Sequence, residues 1–65
     1  MTGAEFRSTR KRLRLTRQAL GRILDTSTWT IARVEALPEV NGLWEGAISW
    51  VAHISDQIAK EKQNG

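Results

Sequence analysis

An all-α fold is predicted, a small bundle of four or five helices built around a helix-turn-helix, and three observations carry that expectation. First, Leu15 to Glu35 holds two short apolar-periodic segments, each opened by a capping hydroxyl and separated by one abrupt turn. Second, from about Leu43 to about Lys60 apolar residues recur at helical spacing, with Trp44, Ala47, Ile48, Val51, Ile54 and Ile58 on one broad face. Third, Phe6, Arg10 and Leu13 mark a thin inward stripe on a helix preceding the motif.

In the motif, Thr16 stands at the N-cap of the first segment, where its hydroxyl can accept from an otherwise orphaned N–H. Leu15 before it and Leu20 four residues after it form a hydrophobic staple. The second segment repeats the pattern, with Ser27 as cap and Ile31 at the fourth helical position. Asp25 between them suits a helix end, because Asp visits the left-handed region more readily than most residues. Such a unit commonly places its second helix in the DNA major groove. The core of the motif spans about residues 16–36, in a single domain of residues 1–65.

Around it, the first helix can be capped by Thr2 or Gly3 and run to about Leu13. Arg10 shares its inward stripe with Phe6 and Leu13 and therefore needs a carboxylate, since an unpaired buried charge is costly. Glu35 is the expected partner, in a structural ion pair. Arg14 sits where a glycine would end the helix most easily; either the turn avoids positive φ, or strain is accepted to aim a guanidinium. The second helix, Arg17 to Leu24, is expected to bury Leu20, Ile23 and Leu24. Gly21 costs about 1 kcal/mol of helix propensity against Ala, which makes sense where the next helix crosses too closely for a side chain. The third helix, Thr28 to about Ala36, buries Ile31 and Val34 and exposes Thr28, Trp29, Ala32 and Arg33. Leu37 to Gly42 is the clear break, because Pro38 disfavours helical geometry at Leu37 and Asn41-Gly42 marks a turn. In the last helix Glu45, Ser49, His53, Asp56 and Lys60 line the polar side, and Gln63-Asn64-Gly65 is expected to fray.

Size and charge bound the function. A chain of 65 residues buries only about 60% of its unfolded surface and is expected to be marginally stable. It has no cysteine and one histidine, His53, so disulfides and thiolate–zinc sites are excluded, and no metal or other cofactor is expected. Nothing resembles a catalytic set, a phosphate-binding glycine loop or a small-molecule site, so an enzyme is the least expected class. No apolar run approaches the roughly 20 residues of a membrane span, and a signal peptide's apolar core is missing, so a cytoplasmic protein without membrane partners is expected. The net charge is +3, distributed unevenly. Residues 1–37 hold Arg7, Arg10, Lys11, Arg12, Arg14, Arg17, Arg22 and Arg33 against Glu5, Asp25 and Glu35, a balance of +5. Residues 38–65 hold Lys60 and Lys62 against Glu39, Glu45, Asp56 and Glu61, a balance of −2. The motif thus lies in the basic half, and its arginines suit bidentate contacts to phosphate or guanine.

Base contacts are therefore expected from Thr28, Trp29, Ala32 and Arg33, with Arg33 the strongest candidate for guanine. Trp29 can pack its indole on thymine methyls or sugars; otherwise it folds back over Arg33 or the turn, or belongs to a protein interface. Arg14, Thr16, Arg17, Gln18 and Ser27 are candidate contacts to the DNA backbone, which position without reading sequence. Leu43, Trp50 and Ile54 form a candidate homodimer seam, while Trp44 is assigned to the core.

These residues resemble the Cro/C1-type (XRE) helix-turn-helix family of phage and bacterial regulators. The resemblance covers about residues 4–37 and rests on Phe6, Arg10, Leu13, Leu15-Thr16-Arg17, Leu20-Gly21, Ile23-Leu24, Ser27, Ile31 and Arg33-Val34-Glu35. It implies a lambda-repressor-like DNA-binding domain that meets operator DNA as a symmetric dimer, with bases read at Thr28, Trp29 and Arg33 and backbone contacts near Arg17. It also implies an Arg–Glu pair like Arg10–Glu35. The chain departs from that pattern at Arg14 and Asp25, where glycine is usual, at Thr26, where an aliphatic residue is usual, and at Trp29, where a small or polar residue is usual. The loop after the third helix, often basic in the family, carries Glu39 and no Lys or Arg. The expected function is sequence-specific DNA binding in transcription regulation, as a repressor of an inverted-repeat operator that can include its own. The rivals are an antitoxin-like or adaptor protein-interaction module and an architectural, excisionase-like DNA-bending protein.

Overall fold

The computed structural model describes residues 1–64, with side chains up to Lys60. It is all-α, with four helices: α1 (Gly3–Arg12), α2 (Arg17–Ile23), α3 (Thr28–Glu35) and α4 (Gly42–Asn64). Each start follows from a side chain. Thr2 closes a capping box on α1, accepting from the Glu5 N–H at 3.1 Å while its own N–H donates to the Glu5 carboxylate at 2.9 Å. Thr16 accepts from the Ala19 N–H on α2, and Ser27 from the Thr30 N–H on α3. Asn41, read from the sequence as part of a turn, is the cap of α4: its side-chain oxygen accepts from the Trp44 N–H at 3.2 Å. The last helix therefore begins one residue before the expected Leu43 and continues past Lys60 to Asn64. Of the residues expected to fray, Asn64 closes this helix and Gly65 lies outside the described residues.

The core gathers Phe6, Leu20, Ile31, Val34, Ile48 and Val51, joined by Val40 from the loop. Phe6, Leu20, Ile31 and Ile48, one from each helix, are completely covered. Leu13, Leu15, Leu24 and Trp44 pack half-buried around this centre, as does Met1. Ile23 corrects the sequence reading: it stays 47% exposed because it ends α2 at the rim of a groove along α4, where no further element covers it. Val40 is the converse case, carried inward by the chain itself. The Val40 N–H donates to the Met1 carbonyl at 2.8 Å and the Gly3 N–H to the Leu37 carbonyl at 2.9 Å, so the loop is laced to the start of α1. That lacing leaves no space at Gly3, where a Cβ would fall 2.5 Å from the Glu35 and Leu37 carbonyl oxygens.

Gly21 is explained by the turn. A Cβ there would lie 2.7 Å from the Thr26 carbonyl oxygen, and the Thr26 N–H donates to the Gly21 carbonyl at 2.7 Å. The turn between α2 and α3 folds directly onto the Gly21 backbone, and the lost helix propensity is the cost of that approach.

The expected ion pair is present. Arg10 Nε donates to Glu35 Oε2 at 2.6 Å, and Arg10 Nη1 donates to the Leu15 carbonyl at 2.8 Å. Arg17 adds a contact that the sequence reading did not assign, its Nε donating to Glu35 Oε1 at 2.9 Å. The Glu35 side chain is 3% exposed. Burial pushes its carboxyl up, but the hydrogen bonds and charges of Arg10 and Arg17 outweigh that and hold it below the ordinary carboxylate range. Stability from a lowered carboxylate is fully present above its unfolded value and is lost as pH falls through the folded one. The Glu35→Gln variant is therefore expected to lose about 3 kcal/mol at neutral pH, because the buried Arg10 guanidinium loses its counter-charge, whereas Arg17 stays solvated. Urea midpoints measured across pH should also decline less steeply on acidification below 4.5 in the variant than in the native chain.

Candidate nucleic-acid interface

The two faces of α3 differ in what they meet. Ile31 and Val34 hold the helix to the core, while Thr28, Trp29 and Arg33 are exposed on the outside. Ala32, expected among the outward residues, is half-buried, so it offers less surface than its neighbours. Trp29 is 66% exposed, which is unusual for so large an apolar side chain and leaves its ring free of the core. One turn on, the Arg33 guanidinium carbon lies over the Trp29 ring, 5.0 Å from its centroid. This is a cation–π contact between residues that a helix makes neighbours. Both side chains border a shallow hollow of about 200 Å³ whose far side is formed by Leu37 and Trp44. Of the alternatives open for Trp29, packing over Arg33 is thus realised, with the indole still facing outward.

The residues assigned to the DNA backbone fall into two groups. Thr16 and Ser27 are exposed, but their hydroxyls already serve as helix caps; Ser27 Oγ also lies 2.9 Å from Thr30 Oγ1. Gln18 is exposed on the first turn of α2. Arg17 remains 43% exposed while bound to Glu35, so one side chain ties the start of α2 to the end of α3 and still presents charge to solvent. The signal for that second arginine was the buried position of Glu35 itself, since a desolvated carboxylate has more acceptor sites than one guanidinium fills.

Arg14 resolves the alternative left open by the sequence: its φ is 60°, and strain is accepted. Its N–H donates to the Lys11 carbonyl at 2.9 Å, ending α1 in a left-handed residue without glycine. Asp25 does the same after α2, with φ 55°. Both turns that frame the motif are thus made by charged, exposed residues in a conformation glycine would adopt freely.

Comparison with protein-family models, curated proteins and solved structures gives no match for this chain.

Beyond the α3 face, the residues of the candidate seam are also on the surface. Leu43 is 78% exposed, Trp50 57% and Ile54 39%. At spacings of seven and four they follow one stripe of α4. The structure does not bring them into one hollow. Trp50 and Ile54 line a groove of about 330 Å³ with Leu13, Leu15, Ile23 and Ile58. Leu43 borders a separate hollow of about 210 Å³ beside Leu24, Trp44 and Ala47. Among the described residues, no group of His, Asp or Glu side chains is arranged to hold a metal ion, and no helix is long and apolar enough to cross a membrane.

Replacing Arg14 with Gly should separate folding from surface function. Relief of the left-handed strain is expected to raise stability by about 1 kcal/mol, read as a higher urea midpoint. If Arg14 touches a nucleic-acid backbone, the same variant binds more weakly with unchanged sequence preference.

Proposed function

We propose that this chain is a sequence-specific DNA-binding regulator of the Cro/C1 type, a repressor that acts in the cytoplasm as a homodimer on an inverted-repeat operator, its own promoter included. The observation that carries this reading is the outer face of α3, where Thr28, Trp29 and Arg33 stand exposed while the inner face is fixed by Ile31 and Val34. A helix-turn-helix presents its second helix to the major groove in this way, with N-terminal residues toward base edges. The +5 balance of residues 1–37 supports the same partner, since phosphate neutralisation supplies much of the affinity for DNA.

Selection of sites from a random duplex pool, followed by binding across salt concentrations, tests the proposal. A short site protected in two patches about one helical turn apart is expected. Arg33→Ala should relax preference at one base pair, a loss of about 1–3 kcal/mol of discrimination. Arg17→Ala is a poor control for phosphate contact, because it also removes a bond to Glu35. Gln18→Ala is cleaner and should weaken all sequences alike. Absence of sequence preference at every salt concentration overturns the proposal, and strong bending without preference favours an architectural role instead.

The homodimer rests on the exposed stripe of α4. An isologous contact needs a surface that complements its own copy, and an apolar stripe carrying a tryptophan meets that need. Sedimentation should show a concentration-dependent dimer that Trp50→Ser converts to monomer. A native chain that stays monomeric at high concentration, free and on DNA, removes the seam.

A further inference from the structure

The stacked Trp29 and Arg33 carry information about which bases the α3 face fits, an inference that rests on the DNA reading above. An arginine that takes guanine through O6 and N7 lies in the plane of that base. Successive base pairs are about 3.4 Å apart along the duplex, so a group one to two such steps from that guanidinium can reach the adjacent base pair. The Arg33 guanidinium carbon lies over the Trp29 ring, 5.0 Å from its centroid, which puts the indole within reach of the base pair next to the guanine.

The indole has an apolar ring and one N–H donor, with no acceptor. In the major groove cytosine offers a donor, adenine an acceptor beside a donor, and guanine two acceptors without a methyl group. Thymine alone combines an acceptor, O4, with an apolar C5-methyl group. We propose that Trp29 and Arg33 act as one unit reading two adjacent base pairs, guanine by Arg33 and a neighbouring thymine by Trp29, so that Trp29 is a specificity-determining residue. The 66% exposure of Trp29 leaves its ring available for that contact, and its independence of the core means that truncation should spare the fold.

The test uses the duplex selected from a random pool. The guanine is the position whose preference Arg33→Ala relaxes, and the adjacent pair is expected to be enriched in thymine. Replacing that thymine with deoxyuridine removes only the methyl group and should weaken the native chain about fourfold, the value of one buried methyl-sized group. Trp29→Ala should bind the thymine and deoxyuridine duplexes equally while keeping its preference for the guanine. Selected sites with no thymine beside that guanine, or equal binding of the two duplexes by the native chain, overturn the inference and leave the DNA reading standing. A pool that yields no site at all overturns both.

Discussion

The Glu35 carboxylate is the constraint on which the arrangement of the first three helices depends. It closes α3, and it receives Arg10 from the end of α1 and Arg17 from the start of α2. Three helices of at most ten residues each are short for independent stability, so their mutual angles need more than the contact of a few apolar side chains. A desolvated carboxylate between two guanidiniums supplies direction as well as attraction, because the two guanidiniums come from different helices. Arg10 also reaches the Leu15 carbonyl, extending the same network into the turn that launches α2. The outer face of α3 can be displayed because its far end is anchored in this way.

Local rules made most of this fold legible in the sequence. Caps at Thr16 and Ser27, the inward position of Arg10 and its need for Glu35 all follow from spacing and from the cost of a buried charge. What escaped the sequence depends on chain segments meeting across distance. Val40 is buried because its N–H meets the Met1 carbonyl, and Gly3 is needed because α1 starts against the end of α3. Ile23 has the residue type and spacing of a core position, yet whether a neighbour arrives to cover it is a tertiary fact. The outward residues Thr28, Trp29 and Arg33 were legible as the complement of Ile31 and Val34. The stacking of Arg33 on Trp29 was visible only as one alternative, since a spacing of four permits the contact without requiring it. The engagement of Arg17 by Glu35 was signalled only indirectly, by the acceptor sites a buried carboxylate leaves over after one guanidinium.

The distribution of covered and uncovered apolar surface is equally informative. The described chain measures 40 × 20 × 17 Å, and the long dimension belongs to a molecule whose last helix is far longer than the other three. Ile48 and Val51 are buried, whereas Ile54 and Ile58, further along the same helix, are not. The helical repeat is uniform along α4, but the globule it packs against ends before the helix does. Burial is lost with distance along the helix rather than with a change in sequence pattern.

The Trp29–Arg33 contact has a thermodynamic consequence for any encounter at this face. A long side chain that is free before binding loses rotamer entropy on being fixed, a penalty of about 0.5–1.5 kcal/mol at an interface. An exposed cation–π contact is worth about 0.5–1 kcal/mol, enough to bias Arg33 toward one orientation while the protein is alone. Part of the disorder that association would remove has then already been removed by folding. A partner that accepts the guanidinium in that orientation meets a side chain held ready, and one that needs another orientation must first unstack it.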